Sequence, residues 1–157
     1  MDKIIECIID AKLNGDAHRN LSKLVEHLRA HEASGRTSIT MHDDSFDGGW
    51  MVAGVSYVLI NGTDEFPGPW TMWMDYDKIG EKSSIIVDES TKKFAGAHVA
   101  TCGNCGGTCT PGVSATVFGK EFKNTCQTNL MFNNPNEEAI GHIKRLIDVK
   151  LDEIRAV

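Results

Sequence analysis

Three cysteines fall within a short glycine-rich stretch, Cys102-Gly103-Asn104-Cys105-Gly106-Gly107-Thr108-Cys109, in the spacing C-x2-C-x3-C. A fourth, Cys126, follows after sixteen intervening residues. Two cysteines two residues apart, with glycine after the second, let the backbone curl until both sulfurs face one point, because glycine removes the Cβ clashes of such a curl. Four thiolates at about 2.3 Å satisfy tetrahedral zinc. A Gly/Thr/Asn loop buries little apolar surface, so a bound ion supplies the ordering that packing cannot. The spacing therefore predicts zinc held by Cys102, Cys105, Cys109 and Cys126.

Cys126 is favoured as fourth ligand because Phe118-Gly119-Lys120-Glu121-Phe122 reads as a hairpin arm that returns the chain to the loop. His98, four residues before Cys102, competes for that place. With only three protein ligands the open position would make the metal catalytic. An iron–sulfur cluster also takes four cysteines, but the ferredoxin run C-x2-C-x2-C-x3-C-P is not present. Redox thiols of the thioredoxin type need C-x-x-C to open a helix, which Gly103, Gly106, Gly107 and Pro111 oppose. The fifth cysteine, Cys7, lies beside an apolar helical stripe and reads as a small buried residue.

Other candidate chemistry is sparser. His42, Asp43, Asp44 and Asp47 gather an imidazole and three carboxylates around one turn, a group able to bind a cation or move a proton, although aspartate is common in turns for its own sake. There is no phosphate-binding G-x-x-x-x-G-K-[ST], no G-x-G-x-x-G and no G-x-S-x-G elbow. Aromatic residues concentrate between positions 46 and 76. Trp50, Tyr57, Trp70, Trp73 and Tyr76 are the expected lining of a pocket for an apolar or aromatic small molecule. Alternation along a half-buried strand places Trp70, Met72, Met74 and Tyr76 on one face and Trp73 on the other, so part of the set must be core and one tryptophan faces outward.

The elements that position these groups follow from periodicity. Ile4, Ile5, Ile8, Ile9 and Leu13 share one face of a first helix, and Asn14-Gly15 stops it. Leu21, Leu24, Val25 and Leu28 mark a second, and the short link makes the pair a helical hairpin. Strands are expected around Ile39–Met41, over Trp50–Ile60 with a bulge at Gly54, and over Trp70–Tyr76. Further strands are expected at Ser84–Asp88, Phe94–Thr101, Ser114–Phe118 and Thr128–Phe132, with one or two helical turns as the alternative for 94–101. Asn61-Gly62 is a hairpin-type turn signal. Asn134-Pro135-Asn136-Glu137 has the form of a capping box, and a stripe from Ala139 to Ile154 makes the last element a long amphipathic helix.

This order predicts an α+β fold: an N-terminal helical hairpin, an antiparallel sheet of about five to six strands, and a long C-terminal helix packed on one face. The 157 residues suit one domain, 1–157, with a cysteine-rich metal loop at 102–126. A formal charge of −6 without a basic stripe argues against nucleic acid. Acidic residues interrupt the first apolar run, so it does not read as a signal peptide, and no segment is apolar for long enough to span a membrane. A cytoplasmic setting with reduced thiols is expected. Three function classes remain: a zinc-stabilised small-molecule-binding or sensing domain, an enzyme using the cysteine site or the His42/Asp cluster, and a protein that forms a homodimer through its terminal helix.

Overall fold

The structure is a computed structural model and describes residues 2–31, 35–41, 45–52, 55–62, 68–76, 78–103 and 112–156. Two helices open the chain, α1 over Asp2–Lys12 and α2 over Gly15–Ala30. Gly15 sits at φ +55, the left-handed value that lets the chain turn so tightly between them. Strands β1 (Gly35–Met41), β2 (Phe46–Val52), β3 (Val55–Gly62) and β4 (Thr71–Met74) follow as an antiparallel meander. Helix α3 (Glu89–Ala97), strands β5 (Val99–Thr101), β6 (Val113–Val117) and β7 (Lys120–Asn133), and helix α4 (Glu137–Arg155) complete the chain.

The fold is α+β, with seven strands in one antiparallel sheet. The order is β1-β2-β3-β4-β7-β5, and β6 also pairs with β7. Thr125 pairs with both Thr101 and Val113, and Leu130 with both Met74 and Val99. The long β7 is thus flanked by β5 on one edge and by β4 and β6 on the other.

Alternation along the strands divides the sheet into two faces. Trp50, Val58, Ile60, Met72, Met74, Leu130 and Phe132 point to the helices and form the main core with Ile8, Leu24, Leu28, Ile143, Leu146 and Ile147. Each fully buried aliphatic side chain on this stripe of α4 contributes about 1.5–3 kcal/mol by leaving water. The stripe is consumed inside the chain. On the other face Trp73, Ala100 and Cys126 form a small cluster with Met131.

Several elements differ from expectation for local reasons. The apolar run Trp50–Ile60 is not one strand with a bulge at Gly54. It folds back as the β2–β3 hairpin, with Trp50 opposite Val58 and Val52 opposite Val55. Asn61-Gly62 is no turn, because Gly62 pairs with Phe46 at the end of that hairpin. The Phe46 ring covers the glycine so closely that a Cβ there would lie 2.1 Å from it.

Residues 84–88 join no strand. Asp152 on α4 takes the Ser84 N–H at 2.7 Å, and Arg145 donates to the Ile86 carbonyl at 2.7 Å. Residues 94–97 are the end of α3, which Asp88 caps by accepting from the Thr91 N–H at 2.9 Å, and only Val99–Thr101 of the expected strand pairs, as β5. The cap of α4 is Asn136, not Asn134: its side chain accepts from the Ala139 N–H. Pro135 is buried ahead of the helix, and its carbonyl accepts from Asn20 of α2 at 3.1 Å. Cys7 is exposed rather than buried, one position beyond the inward-facing stripe of α1. No helix among the described residues is long and apolar enough to cross a membrane.

Candidate functional site

Of the expected metal ligands, Cys102 follows the end of β5 and Cys126 lies on β7. Cys105 and Cys109 lie outside the described residues, as do His42, Asp43 and Asp44. Cys102 and Cys126 are described. The loop leaves β5 after Thr101 and returns to β6 at Val113, and both residues stand opposite Thr125. The Cys102 N–H donates to the Asn124 carbonyl at 2.8 Å, which fixes the outgoing end. Gly112 closes the returning end against it: a Cβ there would lie 2.7 Å from Cys102 Cβ and 2.4 Å from Asn124 Oδ1. The neck of the cysteine loop therefore sits directly beside the strand that carries Cys126.

Cys126 is buried on the open face of the sheet against Trp73 and Ala100. His98 is on the opposite face. Its Nδ1 lies 2.8 Å from the Phe94 carbonyl and its ring packs on Phe94 and Phe132, so the sheet separates it from Cys126.

The tryptophans divide between core and sheet face. Trp50, Trp70 and Tyr76 are enclosed in the main core. Trp73 faces away from the helices as alternation requires, yet it is only 5% exposed because Ala100, Cys126 and Met131 cover it. The Tyr57 side chain lies outside those described. Among the described residues, one cleft lies between α3, the end of β7 and the first turns of α4. It measures about 450 Å³ and is lined by Phe94, His98, Phe132, Asn133, Asn134, Pro135, Asn136, Glu138, Ala139 and His142.

Each wall of this cleft is held by a local device. Phe94 and His98 lie four residues apart and share a face of α3. The Phe94 ring stacks on Phe132 at 5.6 Å and on His142 at 4.8 Å between centroids. The floor turn is fixed by the Asn134 N–H, which donates to the Trp70 carbonyl at 2.8 Å. Glu137, just outside the lining, pairs with Lys23 of α2, and this contact holds its carboxyl below the usual range.

The two imidazoles have assigned roles for their Nδ1 atoms. A carbonyl only accepts, so His98 Nδ1 must donate to Phe94. His142 Nδ1 lies 2.8 Å from Thr91 Oγ1, and that hydroxyl lies 2.9 Å from Asp88 Oδ2. Hydrogen bonds from the Ser90 hydroxyl, the Thr91 N–H and the Thr91 hydroxyl hold the Asp88 carboxyl well below the usual carboxylate range. Asp88 is thus ionised at neutral pH and accepts the single hydroxyl proton of Thr91, so His142 Nδ1 must be the donor to Thr91. In the neutral rings both Nε2 atoms then carry lone pairs. With the Glu138 carboxylate on the wall, the cleft offers acceptors beside aromatic faces.

Asp88, Thr91, Phe94 and His142 did not enter the sequence reading as site residues. Asp88-Glu89-Ser90-Thr91 carries a helix-start signal, and Phe94 and His98 have helical spacing, so half of the wall was readable. His142 comes from a helix 51 residues beyond Thr91, a pairing that spacing does not encode. Comparison with protein-family models, with curated proteins and with solved structures finds no match to this chain.

Proposed function

We propose that this chain is a zinc-stabilised small-molecule-binding domain whose ligand site is the cleft between α3, β7 and α4. The observation that carries the reading is the pair of imidazoles, His98 and His142, each with Nδ1 committed to the protein and with aromatic rings beside it. Preorganised polar groups beside aromatic faces are what small-molecule sites use to fix orientation. The complementary ligand is planar and rich in hydrogen-bond donors: its ring packs on Phe94 and Phe132, and its N–H or O–H groups reach Nε2 of His98 and His142 and the Glu138 carboxylate. The ring-binding role expected of the tryptophans passes to these residues.

Calorimetry with benzamidine, benzoate and phenol tests this. At about −0.4 kcal/mol per non-hydrogen atom, benzamidine reaches a Kd on the order of millimolar. Benzoate, an acceptor of the same shape, binds at least about tenfold more weakly, because it sets oxygen lone pairs against nitrogen lone pairs. His142→Ala and Phe94→Ala each weaken benzamidine. Equal binding of benzamidine and benzoate, or indifference to both substitutions, would remove the cleft as the site.

Zinc has a separate role in this reading. Cys102 opens the stretch that carries Cys105 and Cys109, its N–H bonded to Asn124 on the strand that carries Cys126, and four thiolates would leave zinc no exchangeable position. We assign the metal a fastening role, and a reducing compartment such as the cytoplasm suits its thiolates. Metal analysis of freshly purified protein should find one zinc per chain for this site, lost in Cys126→Ser; brown protein would replace zinc with an iron–sulfur cluster.

A second reading is acid–base catalysis in the same cleft, favoured by the Asp88–Thr91–His142 chain, which orients an imidazole as a proton acceptor. Turnover of a bound ligand that disappears in His142→Gln would establish it.

A further inference from the structure

We propose a second metal site, built by His27 and His31 of α2 and Asp148 of α4, that takes a zinc-class divalent cation and staples the two helices together. His27 and His31 are four residues apart, so both imidazoles project from one face of α2. Their rings stand 4.9 Å apart between centroids. Asp148 Oδ1 lies 2.8 Å from Nε2 of His27 and 3.1 Å from Nε2 of His31. One ligand atom from each residue falls within 4.8 Å of the others.

Those separations match what an ion asks for. Zinc binds imidazole nitrogen at about 2.0–2.1 Å and carboxylate oxygen at about 2.0–2.2 Å, which puts neighbouring tetrahedral ligands about 3.3 Å apart. The two nitrogen–oxygen separations need to open by only a few tenths of an ångström, and the two nitrogens, within 4.8 Å of each other, need to settle at the same spacing. Two imidazoles and a carboxylate are also the ligand type that zinc, cobalt, nickel and copper share. The ion would displace the Nε2 protons that now face Asp148, and water would complete its coordination.

The surroundings favour a cation. His31 is the C-cap of α2, and the partial negative charge of a helix C-terminus lies there. The three side chains are between 19% and 29% exposed, open enough for an ion to enter and covered enough to hold it. Two arginines of the same helices are engaged elsewhere. Arg29 donates to Glu6, and Arg155 donates to the His31 carbonyl rather than to Asp148. The cluster lies on the helical layer, so it is independent of both the thiolates and the ligand cleft. A bridging ion would tie the N-terminal hairpin to the helix that fills the core.

Cobalt(II) titration of the full chain as purified tests the site, because cobalt bound by nitrogen and oxygen shows weak visible bands without the intense charge transfer of thiolate ligation. The expected result is one such cobalt per chain, displaced by zinc and retained in Cys126→Ser. Asp148→Asn and His31→Gln, each confirmed folded by circular dichroism, should weaken it at least tenfold. Should His31→Gln fail to fold, the near-isosteric Asp148→Asn decides. Absence of a sulfur-free cobalt class, or one unaffected by Asp148→Asn, overturns the proposal. So would variants that melt at lower temperature while wild-type protein never binds cobalt, the behaviour of a purely hydrogen-bonded clasp.

Discussion

Replacing Thr91 by valine removes one hydroxyl from the link between Asp88 and His142 and keeps the shape of the side chain. Thr91 is 2% exposed, so the change is made in a packed environment. The hydroxyl takes the Nδ1 proton of His142 at 2.8 Å and gives its own to Asp88 at 2.9 Å. Asp88 is at the surface and still accepts from Ser90 and the Thr91 N–H, so water replaces the lost donor there. His142 is the side that suffers. A lost net hydrogen bond is worth about 0.5–1.5 kcal/mol, and a fully buried orphan donor about 1–3 kcal/mol. His142 is only half-buried and can recruit water, which places the expected loss near about 1 kcal/mol. For a chain of this size that corresponds to roughly 2–4 °C in Tm.

The second readout is specific to the mechanism. In wild-type protein the nitrogen chemical shifts of His142 should report protonated Nδ1. In Thr91→Val the ring should exchange between tautomers and benzamidine affinity should fall, whereas Thr91→Ser should restore both. An unchanged tautomer and an unchanged Tm in Thr91→Val would refute the hydrogen-bond chain and the preorganisation argued from it.

Acid should destabilise the fold through its surface carboxylates. The Ser83 hydroxyl, the Ser84 N–H and the Ser84 hydroxyl hold Asp152 below its ordinary value, so its contribution is present above about pH 4 and is lost as the pH falls through its folded value. Asp152→Asn should therefore flatten the acid limb of stability against pH in denaturant titrations. Gly62→Ala puts a Cβ 2.1 Å from the Phe46 ring and should cost about 1–3 kcal/mol, with a non-additive Phe46→Leu/Gly62→Ala pair in a double-mutant cycle of melting data. Gly112→Ala presses on the Asn124 backbone at 2.9 Å, where nothing flexible can yield. It should pry open the neck of the cysteine loop and lower zinc affinity about tenfold or more in chelator competition.

What could be read from the residues alone depended on the range of the interactions. Helices α1, α2 and α4 announce themselves by stripes such as Leu21, Leu24, Val25 and Leu28, because burial on one face is a local pattern. The apolar run from Trp50 to Ile60 hid its reversal, since a hairpin buried along its length has the same composition as one strand. Helix α3 was obscured by Thr91 and Phe94, whose β preference is overridden by the Asp88 cap and by Ala95 packing into the core.

The sites followed the same rule. The cysteine spacing is a short-range signal and pointed to a loop whose neck does stand beside Cys126. The aromatic concentration was real but went mainly into the core, because Trp50, Trp70 and Tyr76 are the large side chains that fill the space under the helices. The cleft and the His27–His31–Asp148 cluster join residues up to 121 positions apart. Only the H-x3-H half of the cluster is a short-range pattern, and it did not enter the sequence reading.

The central claim is that ligand binds on the helical side of the sheet, at the imidazoles, rather than among the tryptophans. Side-chain chemical-shift mapping of the labelled protein during benzamidine addition tests it most directly. Saturable shifts are expected at Phe94, His98, Phe132 and His142, with Trp50, Trp70 and Trp73 indole signals unmoved. Shifts centred on Trp73 and Met131, or none in the cleft at millimolar benzamidine, would contradict it.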